Sequence, residues 1–194
     1  MSDIEISSSK FGSAMGLNPW QSRQKLWGIL TGRIEPDEIN AAMQWGLDNE
    51  WRGVAAAEGV SGIFFQNTGD RQKQHNTVRD AGDPLGKYRM RSTPDGSSGR
   101  TGLEVKCPKK LYDEVPAHYM AQVQGQMHVC GFDTVIFGAW TPQETRVWSV
   151  PRSEDYITQQ LQLLDDFMLF IHADEKPGRR AKPVMPEVPV TRIL

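Results

Sequence analysis

The sequence predicts an α/β fold with a mixed central β-sheet flanked by helices, and three observations predict it. Apolar residues recur at helical spacing in the stretches 22–32, 37–58 and 153–172. Short runs bounded by turn residues, 102–107, 134–140 and 145–150, read as strands. A helical segment between Pro116 and Cys130 separates the first of these strands from the second, the alternation expected of strands and helices packed in layers.

Taken in order, Ser7, Ser8 and Ser9 precede a short helix, and Gly16-Leu17-Asn18-Pro19-Trp20 carries the breakers of a turn. A helix from Ser22 to Gly32 points Leu26, Trp27 and Leu30 at the core. A longer one from Asp37 to Glu58 uses Ala42, Trp45, Leu47, Trp51 and Val54 as apolar contacts, with Gly59 as its terminator. From Gly62 to Gly102 short β-type pieces such as Ile63-Phe64-Phe65 are joined by long polar loops. Gly102 to Cys107 is a strand that Pro108 ends, because proline cannot continue the ladder. Strands 134–140 and 145–150 flank a Thr-Pro-Gln-Glu turn. Ser153 caps an amphipathic helix through Tyr156, Ile157, Leu161, Leu164, Phe167, Met168 and Ile171. The tail from Lys176 to Leu194 holds four prolines and reads as extended, either mobile or docked on a neighbouring subunit.

A chain of 194 residues with 38% hydrophobic content supports one well-buried core, read as a single domain over 1–175 followed by the Pro-rich tail 176–194. Cys107 and Cys130 are too few for a disulfide framework or a paired zinc site and read as reduced thiols. No apolar run approaches the ~20 residues that span a bilayer, and Met1 to Ile6 lacks the regions of a signal peptide. The expectation is a soluble cytoplasmic protein with no membrane partner.

The net charge of −2 excludes a uniformly basic coat. Charge is nonetheless segregated: 71–110 holds ten Lys or Arg against four acids, and the rest holds 12 basic against 20 acidic residues. A protein with one phosphate-facing surface could be arranged so, although a solvated loop reads the same way.

The chemistry is concentrated in Ser92-Thr93-Pro94-Asp95-Gly96 and Gly102-Leu103-Glu104-Val105-Lys106, with eight residues between Asp95 and Glu104. In a strand Glu104 and Lys106 share one face while Leu103 and Val105 take the other. With Asp95 at the end of a neighbouring strand, two carboxylates and an ammonium converge on a hard-oxygen site suited to Mg²⁺ or Mn²⁺, and the Val105 carbonyl could add a ligand. Such a site neutralises an attacked phosphodiester and activates water, with Lys106 orienting that water. The plain alternative is an exposed Glu-Lys pair beside an Asp-Gly turn.

Pro94-Asp95-Gly96, Glu104-Val105-Lys106-Cys107-Pro108, Tyr119-Met120-Ala121-Gln122-Val123-Gln124, Trp45-Gly46 with Glu50, and Ile6-Ser7-Ser8-Ser9 followed by Gly16-Leu17-Asn18-Pro19 together resemble the YqaJ-type viral recombinase nucleases, the family of phage lambda exonuclease. The resemblance spans Ile6 to Gly138 with the motifs in order. It implies a restriction-endonuclease-like PD-(D/E)xK core. It also implies a two-metal site with Mg²⁺ (Mn²⁺ as substitute), in which Asp95 and Glu104 bind metal, Lys106 handles water and Glu50 assists. Gln122 would be an active-site glutamine. Tyr119, Gln122 and Gln126, at i, i+3 and i+7, would share a substrate-facing helix side; a polar solvent face is the alternative.

Ser9 matches a serine that holds the 5′-phosphate of a DNA end. No arginine precedes it here, so Lys10, Arg23 or the basic segment would have to supply the charge. The implied activity is 5′-to-3′ digestion of linear double-stranded DNA to mononucleotides, leaving a 3′ single strand. The implied setting is a phage- or prophage-encoded homotrimer around DNA ends in a bacterial host, working with a single-strand annealing recombinase. An endonuclease on the same core and a catalytically silent DNA-binding module are the rivals. Trp20, Trp27, Trp45 and Trp51 read as core residues, with Trp20 able to wedge against a DNA end, and His75 and His118 read as surface residues.

Overall fold

The computed structural model describes residues 4–82 and 85–194. Residues 1–3 of the N-terminal segment, and Asp83 of the basic segment, lie outside the described residues. In chain order the elements are β1 (Glu5–Ser7), a 3-10 turn (Ser8–Lys10), α1 (Phe11–Ala14), α2 (Arg23–Leu30), α3 (Ala41–Ser61) and a 3-10 turn (Gly69–Arg71). There follow β2 (His75–Asp80), β3 (Lys87–Ser92), β4 (Gly96–Ser98), β5 (Thr101–Lys106) and α4 (Ala117–Cys130). The last elements are β6 (Thr134–Trp140), β7 (Thr145–Pro151), α5 (Glu154–His172) and β8 (Thr191–Arg192).

The strands form two sheets. The larger has the order β4-β5-β6-β7-β8 and is mixed: β5 and β6 run parallel and the other pairs antiparallel. Parallel neighbours need a crossover, which α4 supplies. The smaller sheet, β1-β3-β2, pairs β1 parallel and β2 antiparallel to β3.

Alternation along the strands sorts the residues between two layers. Leu103, Val105 and Ile136 join Val54, Ala57, Phe65 and Cys107 on the α3 side. Val135, Phe137 and Ala139 join Val123, Met127 and Trp148 on the α4 side. Cys107 therefore points away from Glu104, as expected. Beneath the smaller sheet, Ile6, Phe11, Leu26, Tyr88, Met90, Leu164 and Phe167 form a third cluster with α1, α2 and α5. No helix among the described residues is long and apolar enough to cross a membrane.

Helix α3 departs from expectation. Ala42, Trp45, Leu47 and Trp51 face solvent, Trp51 at 64% exposure, and of the expected contacts only Val54 is buried. The packed face is instead Asn49, Gly53, Val54 and Ala57. Close approach is the reason: a Cβ on Gly53 would come within 2.2 Å of Val105 Cγ1, so helix and strand meet only where side chains are small. The helix starts at Ala41, where the Asn40 side chain accepts the N–H groups of Ala42 and Met43. It runs through Gly59 to stop at Gly62, whose φ of +69° provides a left-handed cap. Gly53→Leu should cost about 3 kcal/mol by overpacking, read as a lower denaturant midpoint; an unchanged midpoint would refute the close contact.

Two further expectations fail. Ile63-Phe64-Phe65 is not a strand: the Phe65 N–H bonds to Glu58 Oε1 at 2.8 Å and its ring enters the core, while Phe64 is exposed. The tail is extended, as expected, but it lies on its own chain instead of being mobile or docked on a neighbour, as Gln24 Nε2 donates to the Pro177 carbonyl and Gln159 Nε2 to that of Val184. Val188 packs into the core, and β8 pairs with β7.

Candidate active site

Asp95, just before β4, continues the pairing with β5: its N–H donates to the Leu103 carbonyl at 3.0 Å and its Oδ2 accepts the Val105 N–H at 2.7 Å. The carboxylate is thereby fixed beside the strand that carries Glu104 and Lys106. On the α4 side of that strand Glu104 is 1% exposed and fully engaged. Lys106 Nζ and Gln122 Nε2 donate to its Oε1, the latter at 2.7 Å, and Gln126 Nε2 donates to its Oε2. Lys106 Nζ also lies 5.1 Å from the centre of the Tyr119 ring, a cation–π contact that aims the ammonium.

From the other layer, Glu50 on α3 reaches the same cluster. Its Oε1 accepts from Gln72 Nε2 at 2.8 Å, and the same nitrogen lies 3.4 Å from Asp95 Oδ1. Gln72 was invisible to sequence reasoning, since no local pattern marks a residue joined to the acids only by the fold.

The electrostatics are those of acids short of positive charge. Loss of hydration, and then repulsion from Glu104, raises the Glu50 pKa and lifts that of Asp95 well above the usual carboxylate range. For Lys106, burial acts to lower the pKa, but the carboxylates of Glu104 and Asp95 outweigh it and the pKa rises. The ammonium stays charged. These carboxylate oxygens suit a hard divalent cation, and the amide nitrogen of Gln72 between two of them marks where positive charge is wanted. Among the described residues no three His, Cys, Asp or Glu side chains enclose one point as a ready-made metal site. The donors that fit Mg²⁺ are Asp95 and Glu50, with Glu104 available once it shares an oxygen now given to Lys106 or a glutamine.

The remaining expected residues divide. Val105 offers its N–H to Asp95 and its side chain to the core. Ser9 and Lys10 are exposed on the first 3-10 turn, which packs against α4, and Ser9 Oγ bonds Ser7 Oγ at 2.7 Å. Gln126 is fully buried and bound to Glu104, so it does not face substrate, because α4 is enclosed all round from Ala121 to Met127.

Arg23 is also corrected: it is buried, donates to Asp166 at 2.9 Å and lies against Phe167 and Phe170, so its charge is spent within the fold. Arg23→Ala should lower stability by about 2 kcal/mol and leave DNA affinity unchanged, checked by denaturation and a binding titration. A selective loss of DNA affinity would reverse that assignment. His118 is no free surface residue either. Its ring packs 4.0 Å from Tyr119 and 4.9 Å from Trp20, and burial, helped by Lys106, pulls its pKa down to about 4. Trp27 is buried as expected, whereas Trp20, like Trp51, is exposed.

The family profile of the YqaJ-like viral recombinase domain matches residues 3–133. Among solved structures, the chain is similar to an alkaline exonuclease (LHK-Exo) from Laribacter hongkongensis, with a TM-score of 0.65 and 20% identity over 88% of this chain and 89% of that one. The same enzyme in complex with dAMP matches with a TM-score of 0.65 and 20% identity, over 87% and 88% of the two chains. A phage related exonuclease from Haemophilus somnus 129PT matches with a TM-score of 0.62 and 10% identity, over 89% and 96%. These likenesses show a shared restriction-endonuclease-like α/β fold. No curated protein matches.

Proposed function

The chain belongs to the YqaJ-like viral recombinase family, and on that premise we propose that it is a Mg²⁺-dependent exonuclease that digests linear double-stranded DNA from 5′ to 3′. The observation that carries this reading is the convergence of Glu50, Asp95, Glu104 and Lys106 at one end of β5, with two glutamines holding Glu104. The names of the similar exonucleases support it.

Mg²⁺, when bound, supplies charge neutralisation at the phosphodiester and a water of lowered pKa. Asp95, Glu104 and Glu50 would hold it, with the Val105 carbonyl as a further oxygen. Lys106, charged and aimed by Tyr119, orients the attacking water and stabilises charge developing on the phosphate. Gln122 keeps one Glu104 oxygen in place through its 2.7 Å bond. Ser9 and Lys10 take the 5′-phosphate of the end, Lys10 being exposed and without an ion pair among the described residues. A homotrimer around the duplex would cover the exposed apolar residues Met43, Leu47 and Trp51 of α3. A single-strand annealing recombinase in the cytoplasm of the bacterial host would take over the 3′ strand.

The test uses purified protein with Mg²⁺ or EDTA on a linear duplex with 5′-phosphates, the same duplex without them, and a closed circle. Release of mononucleotides from linear DNA only, abolished by EDTA, is expected, with faster release when the phosphate is present. Cutting of the circle would replace the exonuclease by an endonuclease, and DNA binding without cleavage by a silent module.

A further inference from the structure

At least five of the ten cations in 71–110 are held in ion pairs: Arg79 on Asp165, Lys87 on Asp80, Arg91 on Glu5, Arg100 on Asp133 and Lys106 on Glu104. Arg71 and Lys73 differ. Both are exposed, neither has an ionic partner among the described residues, and they flank Gln72.

That flanking fixes where they stand. The amide of Gln72 donates to Glu50 at 2.8 Å and to Asp95 at 3.4 Å, so the stretch is moored directly on the acids. The loop leading into it is moored as well. Gln66 and Ser97 exchange two backbone hydrogen bonds of 2.8 and 2.9 Å, and Thr68 packs so closely on Gly96 that a Cβ there would meet it at 2.9 Å. Gly96 is the residue after Asp95. The Gly69–Arg71 turn is closed by Arg71 N–H to Thr68 and Gln72 N–H to Gly69. With Gln72 tied to the acids, its exposed chain neighbours Arg71 and Lys73 are held at the solvent side of the same loop.

Charge says what they would meet there. Three carboxylates repel a phosphodiester, and the ammonium of Lys106 is already engaged by Glu104. A strand brought to this site needs cations set just outside the acids. We propose that Arg71 and Lys73 form a clamp for a backbone phosphate of the DNA strand entering the site, and that Gln72 seats this clamp on Glu50 and Asp95. The clamp rests on the nucleic-acid reading given above and adds to it a binding site separate from the 5′-phosphate residues.

The experiment measures the affinity for a labelled linear duplex across a series of salt concentrations, in a Lys106→Ala background that leaves the DNA uncut. Arg71→Ala/Lys73→Ala is expected to weaken binding about tenfold or more near 0.1 M salt and to make the log–log salt slope shallower by about 2. Lys182→Ala, an exposed lysine of the tail, is the control. Gln72→Ala should weaken binding about threefold with the slope intact, as expected of a residue that seats cations without touching phosphate. A double variant whose affinity and slope equal those of the control would overturn the clamp. If wild type cleaves DNA while the double variant binds normally, the clamp alone fails. If the double variant shows the loss but wild type cleaves nothing, the nuclease reading fails and the clamp stands.

Discussion

Lys106→Ala is expected to slow phosphodiester hydrolysis about 10³-fold, with DNA binding in Mg²⁺ largely kept. The magnitude follows from position: among the described residues Lys106 is the one cation in direct contact with the acid cluster, bonded to Glu104 and aimed by the Tyr119 ring. A second effect goes with the first. Removing the ammonium leaves Glu104, 1% exposed, to be satisfied by Gln122 and Gln126 alone, at about 3 kcal/mol in folding stability. Single-turnover kinetics and denaturant unfolding separate the two. A rate within tenfold of wild type, at temperatures where the variant is folded, would remove Lys106 from the chemistry.

Glu104→Gln should be equally severe by a different route. The shape of the side chain survives, but only one of the two oxygens that accept from Gln122 and Gln126 remains, and the negative charge is gone. Two things are then lost. A carboxylate able to hold the cation disappears, and Mn²⁺ affinity measured calorimetrically without DNA should fall at least about tenfold. Lys106 also loses the foremost of the charges that raise its pKa against burial, so its pKa should drop. Cleavage should fall by about 10³-fold. Unaltered Mn²⁺ affinity would exclude Glu104 as a ligand, and unaltered cleavage would exclude it from the site.

What was legible in the sequence was whatever is written locally. The shared face of Glu104 and Lys106 follows from the period of a strand, and Ser22 and Ser153 announce helix starts by side chains that accept N–H groups three residues on. What was not legible depends on partners far along the chain. Helix α3 carries enough apolar residues to suggest a buried stripe, yet its packed face is chosen by proximity to Val105, which selects Asn49, Gly53 and Ala57. On α4 the i, i+7 spacing correctly aligned Gln126 with Tyr119. Spacing could not say that this side meets β5 instead of DNA. A surface arginine and Arg23 look alike until Asp166, 143 residues later, is brought against it. In β2 burial alternates between half-covered and exposed, so its polar sequence reads as loop.

The parallel pairing of β1 with β3 bears on how the chain reaches this state. Ser8 and Ser92, hydrogen-bonded at 3.0 Å, are 84 residues apart, and β1 has no partner until β3 exists. On a ribosome β1 is thus idle while the 84 residues from Ser8 to Ser92 are synthesised. Non-local pairings of this kind pay loop closure before any contact rewards it, which places them late and slows folding. The serine turn that follows β1 is registered by the same event. In refolding, where the whole chain is present, the β5–β6 pairing of the acid-bearing sheet spans far less chain (Thr101 to Thr134) than the 84 residues between Ser8 and Ser92, so the serine turn should be the later of the two to be set.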